Sequence, residues 1–119
     1  MSLTSKESAK IAYNALAEKK AENIQLIDIS EISVLADYFI IADGSNQNQL
    51  QAMCDNVEEA LYKAGLPVKQ IEGNRNSSWI LMDFGDIIVH VFSKEDRLFY
   101  DLERIWGDGK FIEVEALDE

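Results

Sequence analysis

The sequence predicts an α/β domain, a mixed β-sheet flanked by helices in the order α-β-β-α-β-β-β-α, on three observations. Stretches whose apolar residues recur every three or four positions alternate with short runs rich in β-branched and aromatic residues, the pattern of helices interleaved with strands. The run Tyr38, Phe39, Ile40, Ile41, Ala42 is apolar at every position, as a strand covered on both faces requires. Two further runs, 79–82 and 87–92, flank Asp83-Phe84-Gly85-Asp86, a turn sequence that makes them a hairpin.

Taken in order, Thr4-x-x-Glu7 is a capping box, and Ile11, Ala12, Ala15 and Leu16 continue it as a first helix running to about residue 20. Ile24, Leu26, Ile27 and Ile29 make a first strand, and the run 38–42, bounded by Asp37 and by Asp43-Gly44-Ser45-Asn46, a second that belongs near the middle of the sheet. From Asn46, the residues Leu50, Met53, Cys54, Val57, Leu61 and Ala64 repeat with helical period, giving the longest helix, which Gly65 and Pro67 stop. Residues 68–72 read as a weak strand and 73–78 as a polar loop feeding the hairpin. Ser93-x-x-Asp96 then starts a third helix, whose stripe of Leu98, Phe99, Leu102, Ile105 and Trp106 faces the core on the hairpin and which ends at Gly107. The chain is expected to be one domain over residues 1–110, followed by an acidic tail, 111–119, carrying Glu113, Glu115, Asp118 and Glu119.

With 11 basic and 22 acidic residues the net charge is −11, and residues 81–119 alone carry 11 acidic and 4 basic groups. So negative a surface repels phosphate, which argues against sequence-independent or sequence-specific nucleic-acid binding and favours a basic protein partner. One cysteine, Cys54, excludes an internal disulfide and sits on an apolar helix face as a small core residue rather than a nucleophile. The N-terminus lacks the features of a signal peptide and no run is long enough to span a membrane, so a cytoplasmic protein is expected. His90 is the only histidine, which leaves no multi-histidine metal site, and no cofactor or metal is expected. Strand alternation sets His90 and Phe92 on one face, read as an exposed recognition surface, and Val89 and Val91 on the other.

One segment has a catalytic reading. Phe39-Ile40-Ile41-Ala42-Asp43-Gly44-Ser45 is a strand followed by Gly-Ser at a helix start, where free N–H groups and the helix dipole can hold a phosphate, as in a magnesium-dependent nucleotidyltransferase or a nucleotide-binding relative. Such enzymes also need two carboxylates two residues apart on the next strand to hold metal ions. That spacing is missing here, and Asp37 and Asp43 would repel a triphosphate.

The residues Asp28, Ser33, Ala36-Asp37-Tyr38-Phe39-Ile40-Ile41, Gly44, Glu72-Gly73, Trp79-Ile80-Leu81-Met82-Asp83-x-Gly85-Asp86-x-x-Val89-His90-Val91-Phe92 and Phe99-Tyr100-Asp101-Leu102-Glu103-x-x-Trp106-Gly107 together resemble the ribosomal silencing factor, or Iojap-like, family. The resemblance implies a non-enzymatic domain of nucleotidyltransferase-like fold. Its expected partner is the large ribosomal subunit, bound through ribosomal large-subunit protein fourteen on the face that meets the small subunit. Binding there would block subunit joining and lower translation when nutrients are short, with a role in large-subunit biogenesis implied by organellar relatives. Carried onto matching positions, the resemblance implies a protein-binding interface with Trp79 as aromatic anchor, Leu81, His90 and Phe92 as same-face neighbours, and Asp37, Asp83, Tyr100 and Asp101 as polar partners. The chain departs from the family's pattern at Asn48, where many relatives have a basic residue, and at Asp43, where a small hydroxyl residue is usual; both changes disfavour phosphate. An exposed apolar hairpin face also invites a homodimer when the protein is free.

Overall fold

The computed structural model describes residues 4–31, 36–73, 79–93 and 110–112. Two helices, α1 (Ser5–Glu18) and α2 (Gln47–Lys63), accompany six strands: β1 (Glu22–Asp28), β2 (Tyr38–Gly44), β3 (Gln70–Glu72), β4 (Trp79–Asp83), β5 (Ile87–Ser93) and β6 (Lys110–Ile112). The strands form one mixed sheet in the order β3-β4-β5-β2-β1-β6, in which only β2 and β5 run parallel. β2 lies inside the sheet with all seven residues buried, as its unbroken apolar run requires. The expected order of elements holds as far as β5. The third helix, with Phe99, Leu102 and Trp106, lies outside the described residues. β6 was not expected: residues 111 and 112, assigned to the tail, belong to a three-residue strand against β1, too short to leave a periodic signature in the sequence.

Alternation divides the sheet's side chains between two cores. Leu26, Ile40, Ala42, Ile80, Val89 and Val91 face the helices and meet Ala12, Leu16, Leu50, Met53, Val57 and Leu61. The opposite face carries a smaller cluster of Ile27, Ile29, Ala36, Phe39, Ile41 and Phe92. Cys54 is buried in the helix-side core, and burial, with Asp55 and Glu58 nearby, pushes its thiol up to about 12; it stays protonated and inert.

Caps and a side-chain brace set the two helices. The expected capping box is present at Thr4, whose hydroxyl accepts from the Glu7 N–H at 3.1 Å while the Glu7 carboxylate accepts from the Thr4 N–H at 3.1 Å. Asn46 caps α2 by accepting from the Gln49 N–H at 2.8 Å. Gln49 then braces the helix pair: its Oε1 accepts from the Ser45 N–H at 2.7 Å, and its Nε2 donates to the Lys19 and Lys20 carbonyls that α1 leaves unpaired at its end. Both helices close with the same pair of reverse hydrogen bonds. In α2 the Leu66 N–H reaches the Leu61 carbonyl and the Gly65 N–H that of Tyr62; in α1 Ala21 reaches Leu16 and Lys20 reaches Ala17.

The helix-ending residue of α1 is therefore Lys20, at φ 62°, where the corresponding residue of α2 is glycine. A side chain in the left-handed region costs about 1 kcal/mol. Lys20→Gly keeps the carbonyl that Gln49 binds and removes that cost, so it should stabilise the fold by about 0.5–1 kcal/mol, read as a rise in the urea midpoint at unchanged slope.

Candidate functional site

The face of the sheet away from the helices gathers most of the residues that the sequence singles out. In β4, Trp79, Leu81 and Asp83 share this face; in the antiparallel register Trp79 lies opposite Phe92, and Leu81 opposite His90. The rings form a continuous group. Trp79 stacks on Phe92 with centroids 5.3 Å apart and planes 16° apart, and Phe39 of β2 sets its ring against His90 at 4.9 Å and 67°. The Trp79 indole N–H donates to His90 Nδ1 at 3.3 Å.

Exposure differs sharply within the group, and here the sequence reading needs correction. Trp79 is 38% exposed, whereas His90 is 5% exposed and Phe92 fully buried, so neither of the latter two presents a recognition surface. Alternation identifies which residues share a face but not whether that face is covered, and Phe39 and Ile41 crowd it from β2.

Asp83 is half-buried, and its Oδ1 accepts from the Gly85 N–H at 2.8 Å, so it holds the hairpin turn as well as facing outwards. Asp37 is not part of the group. It precedes β2 at the opposite end from Trp79, and its Oδ2 accepts from the Ser5 hydroxyl at 2.5 Å, tying the start of α1 to the sheet. Tyr100 and Asp101 lie outside the described residues.

Two residues that sequence reasoning left out of the site border it. Glu72 pairs with Leu81 across β3 and β4, and Glu72, Gly73, Trp79 and Leu81 line a pocket of about 220 Å³. Gly73 is required by its surroundings: at φ +99° its backbone passes so close to Trp79 that a Cβ would fall 2.6 Å from the Trp79 carbonyl oxygen. The Glu72-Gly73 pair before a polar loop signals a turn, but only the sheet register shows that the turn ends beside the tryptophan. A larger hollow of about 440 Å³, with Asp55, Glu58, Glu59, Tyr62, Pro67 and Val68, lies on the outer side of α2, away from this group.

The Gly44-Ser45 turn is built for packing. A Cβ on Gly44 would lie 3.0 Å from Leu50 Cδ2 and 3.2 Å from Met53 Sδ, so the glycine lets α2 approach β2. The Ser45 and Gln49 N–H groups that a phosphate would use already donate to Gln49 Oε1 and Asn46 Oδ1. Asp43 is buried beneath the turn, accepting from Asn23 Nδ2 at 3.0 Å. Nothing in this geometry supports the nucleotide-binding alternative. No helix among the described residues is long and apolar enough to cross a membrane.

The candidate site is thus a partly exposed tryptophan backed by buried rings, with Glu72 beside it, on one face of a mixed sheet. A family model described as "Ribosomal silencing factor during starvation" matches residues 2–119. The chain is 36% identical over 115 residues to ribosomal silencing factor RsfS of Halalkalibacterium halodurans, covering 97% of this chain and 98% of that one. It is also 30% identical over 95 residues to a mouse protein named mitochondrial assembly of ribosomal large subunit protein 1, covering 76% of this chain and 41% of the mouse protein. A crystal structure of a Chromobacterium violaceum protein superposes with a TM-score of 0.84 at 34% identity, covering 88% of each chain. The chain belongs to the ribosomal silencing factor family.

Burial holds the His90 imidazole down to about 4, against 6.5 for an unburied side chain. Below pH 6.5 the unfolded chain takes up a proton there that the folded chain refuses until about pH 4, so this histidine costs stability as the pH falls through that window. His90→Phe removes the proton-binding group. Its stability relative to the parent should therefore rise by up to about 3 kcal/mol between pH 7 and pH 4, measured by urea unfolding of both proteins at each pH so that the shared carboxylate titrations cancel.

Proposed function

We propose that this protein silences ribosomes by docking on the large subunit through ribosomal large-subunit protein fourteen, covering the face that the small subunit must meet and so lowering translation when nutrients are short. The observation that carries this reading is the family match across residues 2–119, whose description names ribosome silencing during starvation. The physical character of the chain supports it. A net charge of −11 suits a basic ribosomal protein and speeds encounter with it, while repelling bare RNA. Trp79 is the large, partly exposed aromatic that an interface anchor requires, and the adjoining pocket beside Glu72 and Leu81 can take a partner side chain.

The mechanism is steric and needs no turnover. Each docked molecule withdraws one large subunit from joining, so the joined fraction falls by mass action as the factor's concentration passes its dissociation constant. The name of the mouse relative extends the reading: a domain docked on the same face of a maturing large subunit would also keep it from joining early.

Co-sedimentation of the purified protein with separated large and small subunits, alone and mixed at physiological salt, tests the proposal. Binding to the large subunit only, with fewer joined ribosomes, is expected; absence of binding to either subunit overturns it. Trp79→Ala should weaken large-subunit binding by about 30-fold or more while leaving the fold's circular dichroism unchanged. Asp83→Asn retains an oxygen for the Gly85 N–H and removes only the charge, so it should mainly slow association and reduce its salt dependence.

A further inference from the structure

We infer that His90 is a positioning residue, a fixed hydrogen-bond acceptor that holds the Trp79 indole in its docking pose and itself touches no partner; this rests on the reading of Trp79 as the anchor. An exposed indole at the start of a strand is free to change rotamer, and freezing it on binding costs affinity. Here it is already frozen. One face lies against Phe92, and its N–H ends on His90 Nδ1 at 3.3 Å, the two ring planes being within 24° of parallel with centroids 6.1 Å apart. The acceptor is immobile in turn, because His90 is buried between strands with the Phe39 ring set against it and Phe92 two residues along the same strand face.

The identity of the residue points the same way. Since Nδ1 accepts, the ring proton sits on Nε2, and that nitrogen is buried without a hydrogen-bond partner among the described residues. An unsatisfied buried donor destabilises a fold. Phenylalanine would fill the same space among Phe39 and Phe92 without that cost, so packing does not account for histidine here. What phenylalanine cannot supply is an in-plane acceptor for the indole. Histidine combines a flat ring that stacks with an acceptor that points along the sheet.

This assignment predicts that stability and docking part company. At pH 7, His90→Phe in the full chain should fold at least as stably as the parent. The hydrogen exchange of the Trp79 indole N–H, followed by NMR with its resonance assigned from a Trp79→Phe variant, should quicken about tenfold or more, and large-subunit affinity should fall about tenfold. His90→Gln, which restores a neutral acceptor, should recover part of both. Parent-like indole exchange in His90→Phe overturns the assignment whatever the ribosome data show. Parent-like affinity in His90→Phe, where the parent binds and Trp79→Ala does not, overturns it while leaving the anchor reading intact. Failure of the parent to bind, or undiminished binding by Trp79→Ala, overturns the anchor reading and with it the docking role of His90.

Discussion

Burial of β2 on both faces is the constraint from which the rest of the architecture follows. Its seven residues have no exposed side, so the sheet must be covered above and below, and its edges must be paired with β1 on one side and β5 on the other. The pairing with β5 is parallel, which no hairpin can provide, and the chain between them supplies the crossover as α2 followed by β3 and β4. Gly44, at the end of β2, admits α2 close against the sheet, and Gln49 in its first turn fastens the end of α1 alongside. The helical layer is thus placed by what β2 needs to have covered.

The second face of the same strand makes the site. Phe39 and Ile41, pointing away from the helices, cluster with the buried Phe92 of the hairpin, and among the described residues of this face the aromatic ring that reaches solvent is Trp79, in the hairpin's outer strand. Trp79 is therefore a surface residue supported by a core. In the proposed docking such a support would favour recognition, because the ordering of the tryptophan would be part of folding and not a cost of binding. The acidic surface acts on a different step. In the proposed docking it would raise encounter rates with a basic partner and disfavour nucleic acid, while the buried rings would act on how the complex is held.

Burial also explains the neutral imidazole at the centre of the group. A charged His90 could not accept the indole hydrogen bond, and the apolar surroundings that depress its proton affinity are the same ones that fix its ring. Desolvation alone, rather than a network of charges, keeps His90 neutral at neutral pH.

Much of this was legible in the residues themselves. The capping box at Thr4, the central position of β2, the length and end of α2, and the Asp83–Asp86 turn all rest on local chemistry that a short window contains: side-chain caps, helical period, an unbroken apolar run, a glycine turn. The motif in the hairpin also led to the family, and alternation correctly set Trp79, Leu81 and Asp83 on one face. Tertiary structure decided what alternation cannot: that His90 and Phe92 are buried while Trp79 is partly exposed, that Asp37 accepts from Ser5 at the far end of the sheet from Trp79, that Glu72 and Gly73 border the tryptophan, and that β6 joins the sheet. A sequence fixes the direction of a side chain relative to its own strand, but burial is set by everything that packs over it, including side chains far away in the chain.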